Sequence, residues 1–242
     1  AYPGVVALSD FSMTVSPGEV IGLVGENGAG KSTLMKILGG VAAPDTGTIT
    51  IDGVERSALT VAESMRVGIA FVHQELNLFD NLDVAANIFI GREPRRGGIL
   101  NLVDNDRMHA MAEPLLRRLG AGFKPSTPLA DLSIARRQMV EIAKALSTNA
   151  RLVILDEPTS SLPISETERL LETIEALRSE GSAVIFISHR LHEIERAVDR
   201  VVVLRDGVLA GNLDRSEITH DRMVKLMIGR DLKSLYVPPA AP

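Results

Sequence analysis

The sequence has no cysteine and no tryptophan, and aromatic residues make up only 3% of it. Without cysteine there is no disulfide scaffold, no thiol nucleophile and no Cys-ligated zinc. So few aromatics leave little with which to stack on single strands or glycans. No apolar run reaches the ~20 residues of a membrane-spanning helix. The longest pure runs, such as Ala183–Ile187, have the length of a strand. No secretory signal pattern is visible. Positive charge is not in excess: 26 Lys and Arg against 31 Asp and Glu give −5. That balance speaks against a general nucleic-acid binder, which would be basic. What is present is 45% hydrophobic and 24% charged residue over 242 positions, enough for a packed core. The length suits one large α/β domain or two small ones. The chain opens at Ala1, not Met, and is patterned within a few residues, which reads as a trimmed front.

Glycine, proline and apolar periodicity divide the chain. Val20–Val24 reads as a strand after the Pro17-Gly18 turn, and Leu34, Ile37 and Leu38 follow at helical spacing. Thr46–Ile51 alternates as a strand closing at Asp52-Gly53, and Ile69–Val72 reads as another. Residues 80–150 are mostly helical in pattern, broken at Pro94, Arg95-Arg96-Gly97-Gly98 and Lys124–Pro128. Pro114 should kink or start a helix. Leu152–Leu155 and Ala183–Ser188 read as buried strands, and Ser165-x-x-Glu168 as a capping box opening a helix to about Arg178. A helix over Leu191–Arg196, a hairpin of Val201–Leu204 with Val208–Leu213, and a helix over Asp221–Ile228 follow. Strand–helix alternation predicts a mainly parallel sheet with helices on both faces, and the strandless 80–150 stretch predicts an inserted helical lobe. Residues 230–242, rich in proline, suit a linker or tail.

Chemistry concentrates at two places. Gly25-Glu26-Asn27-Gly28-Ala29-Gly30-Lys31-Ser32-Thr33 fits G-x-x-x-x-G-K-[ST] between a strand and a helix. Glycines let backbone N–H groups turn inward onto phosphate oxygens, and a helix beginning near Ser32 aims its positive end at the anion. Lys31 supplies a mobile charge for the β- and γ-phosphates, and the Ser32 hydroxyl can ligate Mg²⁺. The bland alternative is a glycine turn capping a helix, with Lys31 on the surface. The second place is Asp156-Glu157, ending a buried strand at the edge where parallel sheets keep their sites. Asp156 would hold Mg²⁺, and Glu157 would orient or deprotonate an attacking water. Its alternative is an acidic strand-ending turn.

Other motifs follow in order. Phe71-Val72-His73-Gln74-Glu75-Leu76-Asn77-Leu78 comes after the phosphate loop. Leu132-Ser133-Ile134-Ala135-Arg136-Arg137-Gln138 precedes Asp156, and Ser160-Ser161-Leu162 and Ile187-Ser188-His189 come after it. Over almost its whole length the chain resembles the ATP-binding-cassette (ABC) ATPases, with these segments at the Q-loop, signature, D-loop and switch-histidine places. GENGAGKSTLMKIL, HQELNL, ANIFIGRE, QMVEIAKAL and FISHRLHEI narrow the likeness to the amino-terminal cassette of monosaccharide-importer ATPases of the ribose, galactose and xylose type.

That resemblance implies a P-loop NTPase fold of ABC type: a mainly parallel core sheet, a small antiparallel β subdomain and an inserted helical subdomain. The cassette would span residues 1–229, and 230–242 would lead to a second cassette. The implied function is ATP hydrolysis with Mg²⁺, powering uptake of a monosaccharide. Importers of another small polar solute remain open, as does a soluble ABC ATPase of translation or DNA repair. The implied partners are the second cassette, transmembrane permease subunits and, indirectly, an external sugar-binding protein, with no nucleic acid. The place would be the cytoplasmic face of the membrane. Tyr2 would stack on adenine, or else simply end the chain. Gln74 would sense Mg²⁺ and the γ-phosphate, and His189 would contact that phosphate and the water. Ser133 would face the nucleotide of the partner cassette. His73, His109, His192 and His220 lack metal spacing and read as surface or packing residues. Met35, Met65, Met108, Met111, Met139, Met223 and Met227 read as core filler.

Two departures from the family pattern matter. Ile134, Ala135 and Arg136 replace the Gly-Gly-Gln of Leu-Ser-Gly-Gly-Gln, and Pro163 replaces an Asp in the D-loop. With its own phosphate loop, Asp156, Glu157 and His189 intact, this chain's own site should hydrolyse ATP. The opposite site, which borrows the altered signature, should be weak.

Overall fold

The computed structural model describes residues 6–73, 76–148, 150–160 and 162–229. The chain begins with β1 (Val20–Val24), α1 (Lys31–Leu38), β2 (Ile49–Ile51), β3 (Val54–Arg56), α2 (Val61–Arg66) and β4 (Ile69–Val72). It continues through α3 (Val84–Phe89), β5 (Arg95–Arg96), β6 (Leu102–Val103), α4 (Asn105–Arg118) and α5 (Ile134–Leu146). Then come β7 (Leu152–Asp156), α6 (Ile164–Ser179), β8 (Ala183–Ile187), α7 (Leu191–Ala197), β9 (Arg200–Arg205), β10 (Val208–Asp214) and α8 (His220–Ile228).

Six strands form the main sheet in the order β10-β9-β1-β8-β7-β4. Every neighbouring pair is parallel except β9 with β10, the hairpin at one edge. The central strands are apolar on both faces, and alternate residues feed two cores. Val20, Val24, Val153, Leu155, Val184 and Phe186 pack on one side with residues from α3 to α7. Ile21, Leu23, Ile154, Ile185 and Ile187 pack on the other with Leu34 and Met35 of α1. Each such side chain contributes about 1.5–3 kcal/mol when fully buried, so the two-sided sheet is the rigid frame of the molecule. β2 and β3 form a separate antiparallel pair, and α3, α4 and α5 lie in sequence between β4 and β7, which are sheet neighbours.

Several local expectations are corrected. The 80–150 stretch is not strandless: Arg95-Arg96 and Leu102-Val103 pair as a small antiparallel hairpin. α2 lacks an apolar stripe, but Thr60 and Glu63 form a reciprocal capping box, with Glu63 N donating to Thr60 Oγ1 at 3.2 Å and Thr60 N to Glu63 Oε2 at 2.8 Å. The box expected at Ser165 does not form. α6 starts at Ile164 behind Pro163, with no side-chain cap. Proline's fixed φ sets that start, and Glu168 turns outward to Arg196, 2.6 Å away. Pro114 lies inside α4, which runs on to Arg118. Met65 and Met111 are 58% and 41% exposed, so they are not core filler, whereas Met35, Met108, Met139 and Met223 are buried. The tail at 230–242 lies outside the described residues. Among the described residues no helix is long and apolar enough to cross a membrane.

Candidate functional site

β1 delivers the chain to a glycine loop at the end of the central sheet, and α1 leaves from it. Gly25 is needed for close approach: a Cβ there would lie 2.3 Å from the Leu204 carbonyl oxygen of β9. Gly30 is needed twice over. Its φ of 105° is left-handed, and a Cβ would meet the Ala7 carbonyl oxygen at 2.7 Å. Gly30 is also the N-cap of α1, and being glycine it offers no side-chain oxygen to the first turn. The first N–H groups of α1 therefore lack the usual side-chain acceptor, and they carry the positive end of the helix dipole. Lys31 Nζ folds back to donate to the carbonyls of Gly25 at 2.7 Å and Glu26 at 3.1 Å. Ala29 is buried, and its carbonyl accepts from Gly207 N, tying the loop to the β9–β10 hairpin.

β7 brings two carboxylates to the same edge. Asp156 pairs in register with Ile187 of β8, and Glu157 N donates to the Ile187 carbonyl at 2.9 Å. Glu157 has φ 49°, a left-handed conformation uncommon for a side chain of its size. That turn brings its carboxylate 3.2 Å from His189 Nδ1, just past the end of β8. Asn27, Gly28, Gly30, Lys31, Ser32, Thr33, Asp156 and Glu157 line one cavity of about 220 Å³. Burial, and then the charge of Glu157, raise the Asp156 pKa above its ordinary value, against the pull of His73 and Lys31. Burial lowers the Lys31 pKa, with Glu157 and Asp156 opposing. The charges of Lys31 and Asp156 are thus held at a cost that a bound partner of opposite sign would relieve.

The loop and the acidic pair, far apart in sequence, meet in this cavity. Gly25, Glu26 and Ala29 shape the loop from behind its lining. Ser133 is not among the lining residues. It N-caps α5, accepting from Arg136 N at 3.4 Å, and Ile134 beside it is 65% exposed. Tyr2 and Gln74 lie outside the described residues. His73 stacks on Phe71 with ring centroids 5.7 Å apart, a packing role that also sets it beside Asp156.

One group escaped the motif reading. Glu193 of α7, 1% exposed, accepts from Thr159 Oγ1 at 2.6 Å and from Ser188 Oγ at 3.1 Å. The signal available was a glutamate one turn after His189, in a helix whose apolar residues already point it at the sheet.

A family model described as ABC transporter matches residues 8–160. The chain belongs to the ABC transporter family. The cassette is 47% identical over 236 residues to the ribose import ATP-binding protein RbsA 1 of Rhizobium meliloti, covering 98% of this chain and 46% of that protein. It is 41% identical over 240 residues to the galactose/methyl galactoside import ATP-binding protein MglA 1 of Photobacterium profundum, covering 99% and 48%. The chain therefore spans about half the length of the curated relatives it matches. Among solved structures, the ADP conformation of MJ1267, an ATP-binding cassette of an ABC transporter, superposes with TM-score 0.80 at 23% identity, covering 95% of each chain. That likeness carries the fold.

The cassette's donors suit a polyphosphate with a divalent cation. Uncapped N–H groups and the Lys31 ammonium are donors suited to anionic oxygens, while Ser32 and Asp156 offer hard oxygen ligands. Among the described residues no cluster of three acidic or histidine side chains could cage a metal alone. A cation here would complete its shell with phosphate oxygens and water, as Mg²⁺ commonly does.

Proposed function

We propose that this cassette binds ATP with Mg²⁺ and hydrolyses it to drive uptake of a monosaccharide across a membrane. The observation that carries the proposal is the meeting of the 25–33 loop with Asp156 and Glu157 around one cavity. The names of the relatives, importers of ribose and of galactose or methyl galactoside, support the sugar.

The roles follow from chemistry. Backbone N–H groups of Asn27, Gly28, Gly30, Ser32 and Thr33 hold phosphate oxygens at the start of α1. Lys31 exchanges its carbonyl partners for the outer phosphates. Ser32, Asp156 and Gln74 would hold Mg²⁺, which supplies charge neutralisation between the outer phosphates when bound. Glu157 orients a water and takes its proton as the oxygen attacks the γ-phosphorus and the bond to the β-phosphate breaks. His189, beside Glu157, fixes that carboxylate and contacts the γ-phosphate. Tyr2 would stack on adenine.

Phosphate contacted from two cassettes glues them together, and closure would pull on permease subunits at the cytoplasmic face of the membrane. A second cassette and an external sugar-binding protein complete the assembly. Ser133 serves the nucleotide of the partner cassette, where Ile134, Ala135 and Arg136 weaken the opposite site, so hydrolysis is asymmetric. The test is ATP turnover by the full-length protein reconstituted with its permease and binding protein. Stimulation by ribose, galactose or xylose supports the proposal. Stimulation by a nucleoside alone would move the substrate to another class, and absence of ATP turnover would remove the enzyme.

A further inference from the structure

We infer that Glu193 is a positioning residue, which locks the turn carrying Glu157 to the turn carrying His189. The inference rests on the reading of those two residues as the hydrolytic pair. The parallel ladder between β7 and β8 ends at Asp156 and Ile187, with one further bond from Glu157 N. Beyond it, main-chain pairing no longer fixes the two turns. Glu193 takes over there. Its Oε2 accepts from Thr159, two residues past Glu157, and from Ser188, the residue before His189.

The lock has further members. Arg190 N donates to Ser188 Oγ at 3.0 Å, and the Arg190 guanidinium reaches Glu193 Oε1 at 3.3 Å and the Ser160 carbonyl at 3.4 Å. Thr159, Ser188 and Glu193 are all buried. A carboxylate in such a place is costly unless every oxygen is paired, and here both oxygens are. An apolar residue would fill the space without that cost, but it would leave the two turns free to slide. The left-handed Glu157 sharpens the need. Strained backbone persists only where its surroundings over-determine it. Charge-assisted bonds at 2.6 and 3.1 Å provide that constraint.

The experiment compares Glu193→Ala and Glu193→Gln in the full-length reconstituted protein, reading kcat, KM for ATP and Tm. Misplacing Glu157 by a fraction of an ångström to an ångström should lower kcat of Glu193→Ala by about 10–100-fold while KM stays within about threefold. Glu193→Gln keeps one oxygen to accept from both Thr159 and Ser188 and gives up only the Arg190 contact on the other side, so it should recover kcat to within about fivefold of wild type. In a Glu157→Gln background, Glu193→Ala should cost less than about twofold, because the group it positions is already gone. Wild-type kcat in Glu193→Ala overturns the inference. So does an undiminished penalty in the Glu157→Gln background. If Glu193→Ala does not fold, Thr159→Val breaks one bond only and should lower kcat about 3–10-fold at constant KM; an unchanged kcat there also overturns it. A wild-type protein without ATP turnover would instead remove the functional reading beneath it.

Discussion

Two helices of this cassette begin in opposite ways. α1 starts behind Gly30, a left-handed residue with no side chain to offer. Its first turn opens onto the cavity beside Lys31 and Asp156. α5 starts behind Ser133, whose hydroxyl accepts from Arg136 N, and carries Ile134 outward and Ala135 against the core. Both helices present a positive end. Only the first leaves its donors without a side-chain acceptor and surrounds them with groups that match a phosphate chain. Helix polarity alone does not make an anion site, and neither does a missing cap, since α6 also starts without one; free donors and the matching groups around them are both needed.

The sharpest way to break this contrast is at the acidic end of the α1 cavity. Glu157→Gln should lower ATP turnover by about 10²-fold or more, the scale of a lost general base, while ATP still binds. Steady-state phosphate release with a parallel binding titration checks both halves. Lys31→Ala should weaken ATP affinity by about 10²-fold, the size of one charge-assisted contact, and isothermal titration reads it directly.

The cavity should also be poised against stability. Because its pKa is raised, Asp156 binds its proton more tightly in the folded chain than in the unfolded one. Stability therefore falls as pH rises from the ordinary 3.8 through the raised value. Asp156→Asn should raise the Tm of the nucleotide-free protein by roughly 2 °C above that window, a gain kept small by solvent screening of a half-exposed group. Below the window the gain should vanish, and thermal melts across pH test the sign. The smallest effect belongs to α5. Ala135→Gly should change total turnover by less than about twofold, because the proposed asymmetry makes the site it would repair the weaker one. A severalfold rise, with Glu157→Gln nearly harmless, would reverse the assignment of strong and weak sites.

Much of this was legible in the residues. The parallel strands of the main sheet could be read because buried parallel strands are near-continuous apolar runs such as Val20–Val24 and Ala183–Ile187. The loop and the acidic pair were legible because phosphate chemistry restricts residue types at fixed spacing. Thr60 and Ser165 both stand three residues before a glutamate, and only Thr60 caps; proline at 163 decides the other case through backbone geometry. The β5–β6 hairpin has two residues per strand, too few for any alternation to register. Glu193 stayed hidden because its role comes from two turns that meet only after the sheet assembles.

On the proposed function, the opening of α1 and the carboxylates ending β7 form one binding site for a triphosphate. Calorimetric titration of the full-length protein with ATP, in the presence and absence of Mg²⁺, tests it most directly. Saturable heat is expected with Mg²⁺, weakened in Lys31→Ala and in Asp156→Asn. Saturable heat that neither substitution changes, or no heat at all from the wild-type protein, would contradict it.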